Sequence, residues 1–309
     1  MPNLGASTPP ALPGNSLYDL AELTEHPRLL SYGDCDALPN IATRTLRVGD
    51  VPIGGSRLSI VAGPALVTTA EDLLRTCVSL ATLRQSFIRI DIDAIRGEER
   101  ETMLKVLSFV RARFGLGVVA RVGRVADVEK LAPIAECFEL AAAAVYNPKL
   151  LRALGETGKT VFVTRDMTMT PGQFVDTVSW LERGGPCSIV LVERAARSVQ
   201  GVRTLDASTI VQLQRETHFP IFVDCSDIAP DWTFVEAVAG AAVGAGADGL
   251  VLSFQADTAS ADVSSNAVRR HLSEEKFAAM VKRLEALRYT ICAAAMDRVT
   301  THPAEQFGR

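Results

Sequence analysis

Arginines and carboxylates recur at the ends of short β-branched runs, and this placement is the first chemical signal in the 309-residue sequence. The runs TVFVTR (160–165), SIVLVER (188–194), PIFVDC (220–225) and GLVLSF (249–254) deliver Thr164 and Arg165, Glu193 and Arg194, Asp224 with Asp227 just behind it, and Ser253. Upstream, FIRID (87–91) and GVVARV (117–122) carry Arg89, Asp91 and Arg121, with Asp93 and Asp166 close to run ends. Guanidinium groups converging on one pocket favour a phosphate or carboxylate ligand through bidentate, charge-assisted hydrogen bonds. The alternative is that they pair with the neighbouring carboxylates. Arg165 and Arg194 are the expected anion-binding residues, and Glu193, Asp224, Asp227 and Arg121 the candidates for catalytic work.

Other chemistries find less support. All four histidines (His26, His218, His271 and His302) fall away from the run ends, so a metal would depend on Asp224 and Asp227 with Cys225 beside them. An aspartate at a strand end serves more often as a helix cap or an arginine partner, and the expectation is no metal and no other cofactor. A Schiff-base enzyme needs a buried lysine at a strand end. Lys105, Lys130, Lys149, Lys159, Lys276 and Lys282 all fall on helical stretches or just before strands. Cys225 is well placed as a nucleophile, but no histidine stands by to activate it.

Positioning these groups takes a repeated unit. Strand patterns at 58–63, 87–91, 117–122 and 137–142 precede the four runs above, making eight. Helical patterns near 70–84, 98–114, 125–136, 147–156, 171–184, 206–217, 232–246 and 273–288 separate and follow them. The interval of about 20–32 residues is that of one βα unit in a (β/α)8 TIM barrel, whose chemistry sits at the C-terminal strand ends. An open doubly wound sheet is the alternative, but no Gly-rich GxGxxG turn follows the first strand. Before the first strand, RTLRVGDVPIGG reads as a β-hairpin closing the bottom of the barrel. The organisation expected is an N-terminal arm with a short helix at 1–42, flexible and rich in Pro, Gly and Ser at its start, then the barrel at 43–298 and a polar tail at 299–309.

Composition bounds the partners. A net charge of −4 and an isoelectric point near 5.7 argue against a general binder of nucleic acid or anionic membranes. No apolar run is long enough to span a bilayer, and the first residues lack a signal-peptide pattern. The six cysteines (35, 77, 137, 187, 225 and 292) show no CxxC or paired spacing, so they read as reduced thiols of a cytoplasmic protein.

The stretches RVGDVPIGGSRLSIVAGP, LGETGKTVFVTRDM, IVLVERAAR, RTLDAS, QRETHFPIFVDCSD and AAVGAGADGLVL, in this order, resemble 3-deoxy-arabino-heptulosonate 7-phosphate (DAHP) synthases and the related 3-deoxy-octulosonate 8-phosphate synthases. The likeness covers about residues 45–290. It implies a (β/α)8 barrel, a homo-oligomer (dimer or tetramer), and condensation of phosphoenolpyruvate with an aldose phosphate assisted by a divalent metal. It also implies that the arginine matching Arg194 contacts the phosphate of phosphoenolpyruvate.

The departures from that pattern are concentrated in the site. Where the family's first strand ends Gly-Pro-Cys-Ser, with a metal-binding cysteine, this chain has Gly63-Pro64-Ala65-Leu66. The metal histidine, glutamate and aspartate correspond to Asp227, Ser253 and the neighbourhood of Asn266 and Ala267. The Gly-Ala-Arg that holds phosphoenolpyruvate reads Ala141-Ala142-Ala143, the lysine beside Arg165 is Thr164, and the Lys-Pro-Arg-Thr loop for the aldose phosphate is missing. Arg165, Glu193, Arg194 and Asp224 survive. The reading is a barrel that has lost the ancestral reaction and serves as a structural or regulatory partner of another enzyme in aromatic or specialised metabolism. The alternative is a repurposed, metal-independent lyase or transferase acting on a small anionic substrate. A true DAHP synthase comes third.

Overall fold

The eight apolar runs each become one strand of a closed parallel barrel, and the amphipathic stretches between them pack as helices on its outside. The computed structural model describes residues 45–64, 69–92, 95, 99–198, 200–256 and 272–301, with backbone alone for 99 and 295–301. All of them lie in the larger of two compact units, Ala37–Arg309. Ala65, Asp93, the expected arm at 1–42, the Asn266 and Ala267 region and the tail beyond residue 301 fall outside the described residues.

A hairpin comes first, β1 (Leu46–Val48) and β2 (Val51–Ile53). The barrel strands are β3 (Ser59–Gly63), β4 (Phe87–Asp91), β5 (Gly117–Val122), β6 (Cys137–Leu140), β7 (Thr160–Thr164), β8 (Ser188–Glu193), β11 (Ile221–Asp224) and β12 (Gly249–Ser253). Consecutive strands pair in parallel, and β12 returns onto β3 from Gly249↔Ser59 to Ser253↔Gly63. That closure excludes the open doubly wound sheet. A two-stranded turn, β9 (Ala196–Arg197) with β10 (Arg203–Thr204), follows β8.

The helices are α1 (Ala70–Thr82), α2 (Glu99–Phe114), α3 (Val125–Leu131), α4 (Pro148–Gly155), α5 (Pro171–Gly184), α6 (Ala207–Glu216), α7 (Cys225–Ile228), α8 (Trp232–Gly244) and α9 (Glu274–Thr301). Their starts are written locally. Thr170 caps α5 reciprocally with Gln173 and Pro171 opens the helix, while Asn147 caps α4 by accepting from the Leu150 amide with Pro148 next to it, and Asp206 caps α6. Two ends differ from the periodicity. α3 stops at Leu131 because Pro133 cannot continue it, and α9 runs past 288 to Thr301 because the Ala- and Met-containing segment that follows consists of good helix formers. Among the described residues no helix is long and apolar enough to cross a membrane.

Strand alternation sorts the side chains into two cores. Outward-facing residues and helix faces form the larger one, including Ile88, Ile90, Val118, Ala120, Leu191 and Val223. Inward-facing Val61, Phe87, Val119, Cys137, Phe162, Val190, Val192, Phe222 and Val251 fill the lower lumen, where Leu46, Val48 and Ile53 of the hairpin join them. The hairpin is therefore the floor of the barrel, as the sequence leads one to expect. Phe162 and Phe222 meet edge-on at 5.3 Å, and the Phe222 ring occupies the space a side chain at Gly249 would need. Gly63 is required for a different reason: a Cβ there would collide with the backbone carbonyl of Arg89 on the neighbouring strand.

A buried clasp fastens the floor. Arg288 of α9, 1% exposed, donates to the carbonyls of Gly55, Gly246 and Ala247 and to Asp248 Oδ1 at 2.7 Å. Asp248 in turn accepts from the amide of Ile221, at the start of β11.

Candidate functional site at the C-terminal mouth

The register of β4, β5 and β6 pairs Asp91 with Arg121 and Arg121 with Glu139, so three charged side chains form one row above the apolar lumen. Arg89, two residues before Asp91, faces the same way. It donates to Glu139 with both forks of its guanidinium, at 2.5 and 2.7 Å. Arg121 reaches Asp91 at 3.3 Å and Glu139 at 3.6 Å. Burial alone would raise the Glu139 carboxyl, but Arg89 and then Arg121 and Arg194 outweigh it and hold the pKa below the usual value. Arg89 is likewise held charged against burial, chiefly by Glu139.

Across the mouth, β11 and α7 supply Asp224, Ser226 and Asp227. The short α7 forms because Asp224 caps it, one carboxylate oxygen accepting the Asp227 amide at 3.0 Å. Asp224 has no ion pair among the described residues. Its pKa is raised, first by burial and then by the nearby Asp227 and Glu139 carboxylates, against the pull of Arg89. Ser226 Oγ accepts the amide of Ser253 at 2.6 Å. Thr164, 3% exposed, points into the same space with no hydrogen-bond partner for its hydroxyl. Together these groups enclose a cavity of about 140 Å³ lined by Arg89, Asp91, Arg121, Glu139, Thr164, Arg194, Asp224, Ser226, Asp227 and Ser253.

Asp227 is the most heavily engaged carboxylate. Its Oδ2 accepts from Arg194 Nε at 2.9 Å and lies 2.8 Å from Arg194 Nη2. Its Oδ1 and its backbone carbonyl accept from Arg203 Nη1 at 2.6 and 2.8 Å. Arg203 comes from β10, in the turn after β8.

The structure separates two residues that the sequence placed together. Arg194 lines the cavity, but Arg165 does not. Parity is the reason: Phe162 and Thr164 face the lumen, so Arg165 faces outward, as does Glu193 on β8. The pair is closed behind the wall, with Arg165 donating to Glu193 at 2.5 and 2.6 Å and to the Met169 carbonyl at 2.5 Å. Glu193 is fully buried, and burial pushes its carboxyl pKa up despite Arg165. Cys225 is equally remote from chemistry: it lies in the outer core, and burial raises its thiol well above the ordinary value. Ala143 sits in a 3₁₀ turn (Ala142–Ala144) after β6 and brings no polar group.

Glu139, Ser226 and Arg203 were not singled out by the sequence reading. Glu139 was legible as the lone carboxylate in the apolar run CFELAA, where a buried charge demands a partner. Arg203 gave no such sign, because its reach depends on the β9–β10 turn.

A divalent cation needs several oxygen, nitrogen or sulfur donors on one point. Among the described residues no three His, Cys, Asp or Glu side chains converge in that way. Asp227 has both oxygens committed to arginines, and Ser253 offers a neutral hydroxyl. The described residues of the mouth do not fit such a metal.

Residues 40–288 match the family model described as the DAHP synthetase I family. The chain belongs to this family. It is 28% identical over 213 residues to a phospho-2-dehydro-3-deoxyheptonate aldolase of Thermotoga maritima, a match spanning 66% of this chain and 63% of that sequence. A 2-dehydro-3-deoxyphosphooctonate aldolase of Citrifermentans bemidjiense is 26% identical over 271 residues, 79% of this chain and 97% of that one. The crystal structure of the Thermotoga DAHP synthase superposes with a TM-score of 0.73 at 26% identity, covering 81% of this chain and 74% of the other. A truncated form of that synthase is covered to 94%, with the same TM-score. The family likeness therefore spans all eight strands of the described barrel.

Proposed function

We propose that this member of the DAHP synthase family does not perform the metal-assisted condensation of phosphoenolpyruvate with an aldose phosphate, and that it acts as a non-catalytic barrel, a structural or regulatory partner of another enzyme. One observation carries the reading: among the described residues, each arginine lining the cavity is bound by a carboxylate of the chain itself. Arg89 holds Glu139, Arg121 lies on Asp91 and Glu139, and Arg194 holds Asp227. A site for two phosphorylated substrates needs guanidinium groups left open to them. A metal polarising the aldehyde would contribute several kcal/mol of transition-state stabilisation, on the order of 10³-fold or more in rate. Among the described residues the donor set for it does not fit.

A second reading has its own support. Asp224, with a raised pKa and one uncapped oxygen, faces the same cavity as the unpartnered Thr164 hydroxyl. That pair suits a repurposed, metal-independent lyase or transferase using Asp224 as a proton donor.

Calorimetric titration with phosphoenolpyruvate, with and without Mn²⁺, alongside turnover with erythrose 4-phosphate, tests the proposal. The expected result is no Mn²⁺-dependent heat and no product. Mn²⁺-dependent binding with turnover would overturn it.

A further inference from the structure

Once the ion pairs at the mouth are drawn, one carboxylate is left over. Arg89 forks onto Glu139, Arg121 lies on Asp91 and Arg194 on Asp227, which uses six of the charged side chains lining the cavity. The seventh is Asp224, which has no ion pair among the described residues. Arg89 is near enough to act on it, but both forks of that guanidinium go to Glu139 at 2.5 and 2.7 Å. One Asp224 oxygen accepts the Asp227 amide at 3.0 Å, and the other is open to the cavity. A second group stands in the same space for a different reason. Thr164, 3% exposed, lines the cavity from β7, and its hydroxyl has no hydrogen-bond partner in the protein. A buried hydroxyl left unpaired is costly, so it marks a position where a partner is wanted.

We propose that this cavity binds a small primary ammonium, with the Asp224 carboxylate and the Thr164 hydroxyl as its acceptors. This rests on the self-paired reading of the mouth and names the class of ligand such a mouth still takes. Among the described residues the lining has four carboxylates against three guanidinium groups, so an anion is repelled and a single positive charge is neutralised. An ammonium has three donors and no acceptor, which suits the open Asp224 oxygen, Thr164 and the Ser253 hydroxyl beside them. Its hydrogen bond to a carboxylate is charge-assisted, and stronger in a partly dry site than in water. A cavity of about 140 Å³ is close to one that holds benzene, so the ligand has on the order of six non-hydrogen atoms.

The test is calorimetric titration of the full chain at low salt with three molecules of one carbon skeleton: ethanolamine, ethylene glycol and glycolate. Ethanolamine, the cation, should bind at least about tenfold more tightly than ethylene glycol, and glycolate should give no heat. Asp224→Asn keeps an oxygen to cap α7 and should lose at least about tenfold in ethanolamine affinity. Thr164→Val removes only the hydroxyl and should weaken ethanolamine about fivefold while the melting temperature stays level or rises, a combination that a purely structural role would not give. It decides the matter if the asparagine variant does not fold. Equal affinities for ethanolamine and ethylene glycol would overturn the proposal, as would a folded Asp224→Asn protein with parental ethanolamine affinity. Potassium ions binding as tightly as ethanolamine would overturn it too, by making the site one for a bare monovalent ion. Turnover of the parent with Mn²⁺, phosphoenolpyruvate and erythrose 4-phosphate would refute the non-catalytic reading alone. Absence of turnover together with no preference for ethanolamine would refute the ammonium site alone.

Discussion

At the floor of the barrel the lumen holds Leu46, Val48, Ile53, Phe87, Phe162 and Phe222, while two residues further along the same strands it holds Arg89, Glu139, Thr164 and Asp224. The floor gains from removing apolar surface from water, and its one buried ion pair, Arg288–Asp248, has nearly every polar atom satisfied. The mouth carries desolvated charges that are tolerable because each described arginine lining it has a carboxylate. Backbone architecture is shared, so the contrast lies in what the inward-facing positions are for. A floor is judged by stability alone. At the mouth the described charges face one another across the cavity.

Breaking the floor should cost most. Arg288→Ala takes the buried Asp248 carboxylate's guanidinium partner away and removes donors from three carbonyls, so urea unfolding should show a loss of about 3–5 kcal/mol. The mouth should respond less. Glu139→Ala leaves Arg89 largely buried without its fork partner, but the cavity admits water to the pair, and a loss nearer 3 kcal/mol is expected in the same assay. Equal losses at both ends would mean that the mouth is as dry as the floor.

The smallest change has the opposite sign. Asp224 has its pKa raised by burial above the ordinary aspartate value of 3.8. The stability linked to its proton is therefore present below the unfolded value and lost as pH rises through the folded one. Asp224→Asn keeps an oxygen to cap α7 and removes that loss. At neutral pH it should stabilise the protein by on the order of 1 kcal/mol, and the gain should disappear toward pH 3. Glu139 works in reverse, its lowered pKa giving stability that is lost in acid. A variant less stable than the parent at pH 7 would show that the Asp224 carboxylate is needed charged.

Most of the barrel was legible in the chain. The run GVVARV becomes β5 residue for residue, and Thr170 with Gln173 announces the start of α5, because strand alternation and capping are local properties. The hairpin before β3 was legible too, from a Gly-Asp turn between β-branched residues. In the site, Arg121, Arg194, Asp224 and Asp227 were recognisable as strand-end charges. Which of them face one cavity was not, since one step of parity sends Arg165 behind the wall while Arg194 stays in front. Glu139 hid inside an apolar run, and Arg203 in a turn with no pattern of its own.

The sequence by itself determined the eight βα units, the floor and the family, because hydrophobic periodicity, caps and motif order are written along the chain. Tertiary structure alone decided who pairs with whom. Arg89 meets Glu139 from 50 positions away, and Asp227 meets Arg194 and Arg203 from 33 and 24 positions away. Such pairings follow from strand register and barrel closure, which bring distant side chains within a few ångströms, where charge compensation is set.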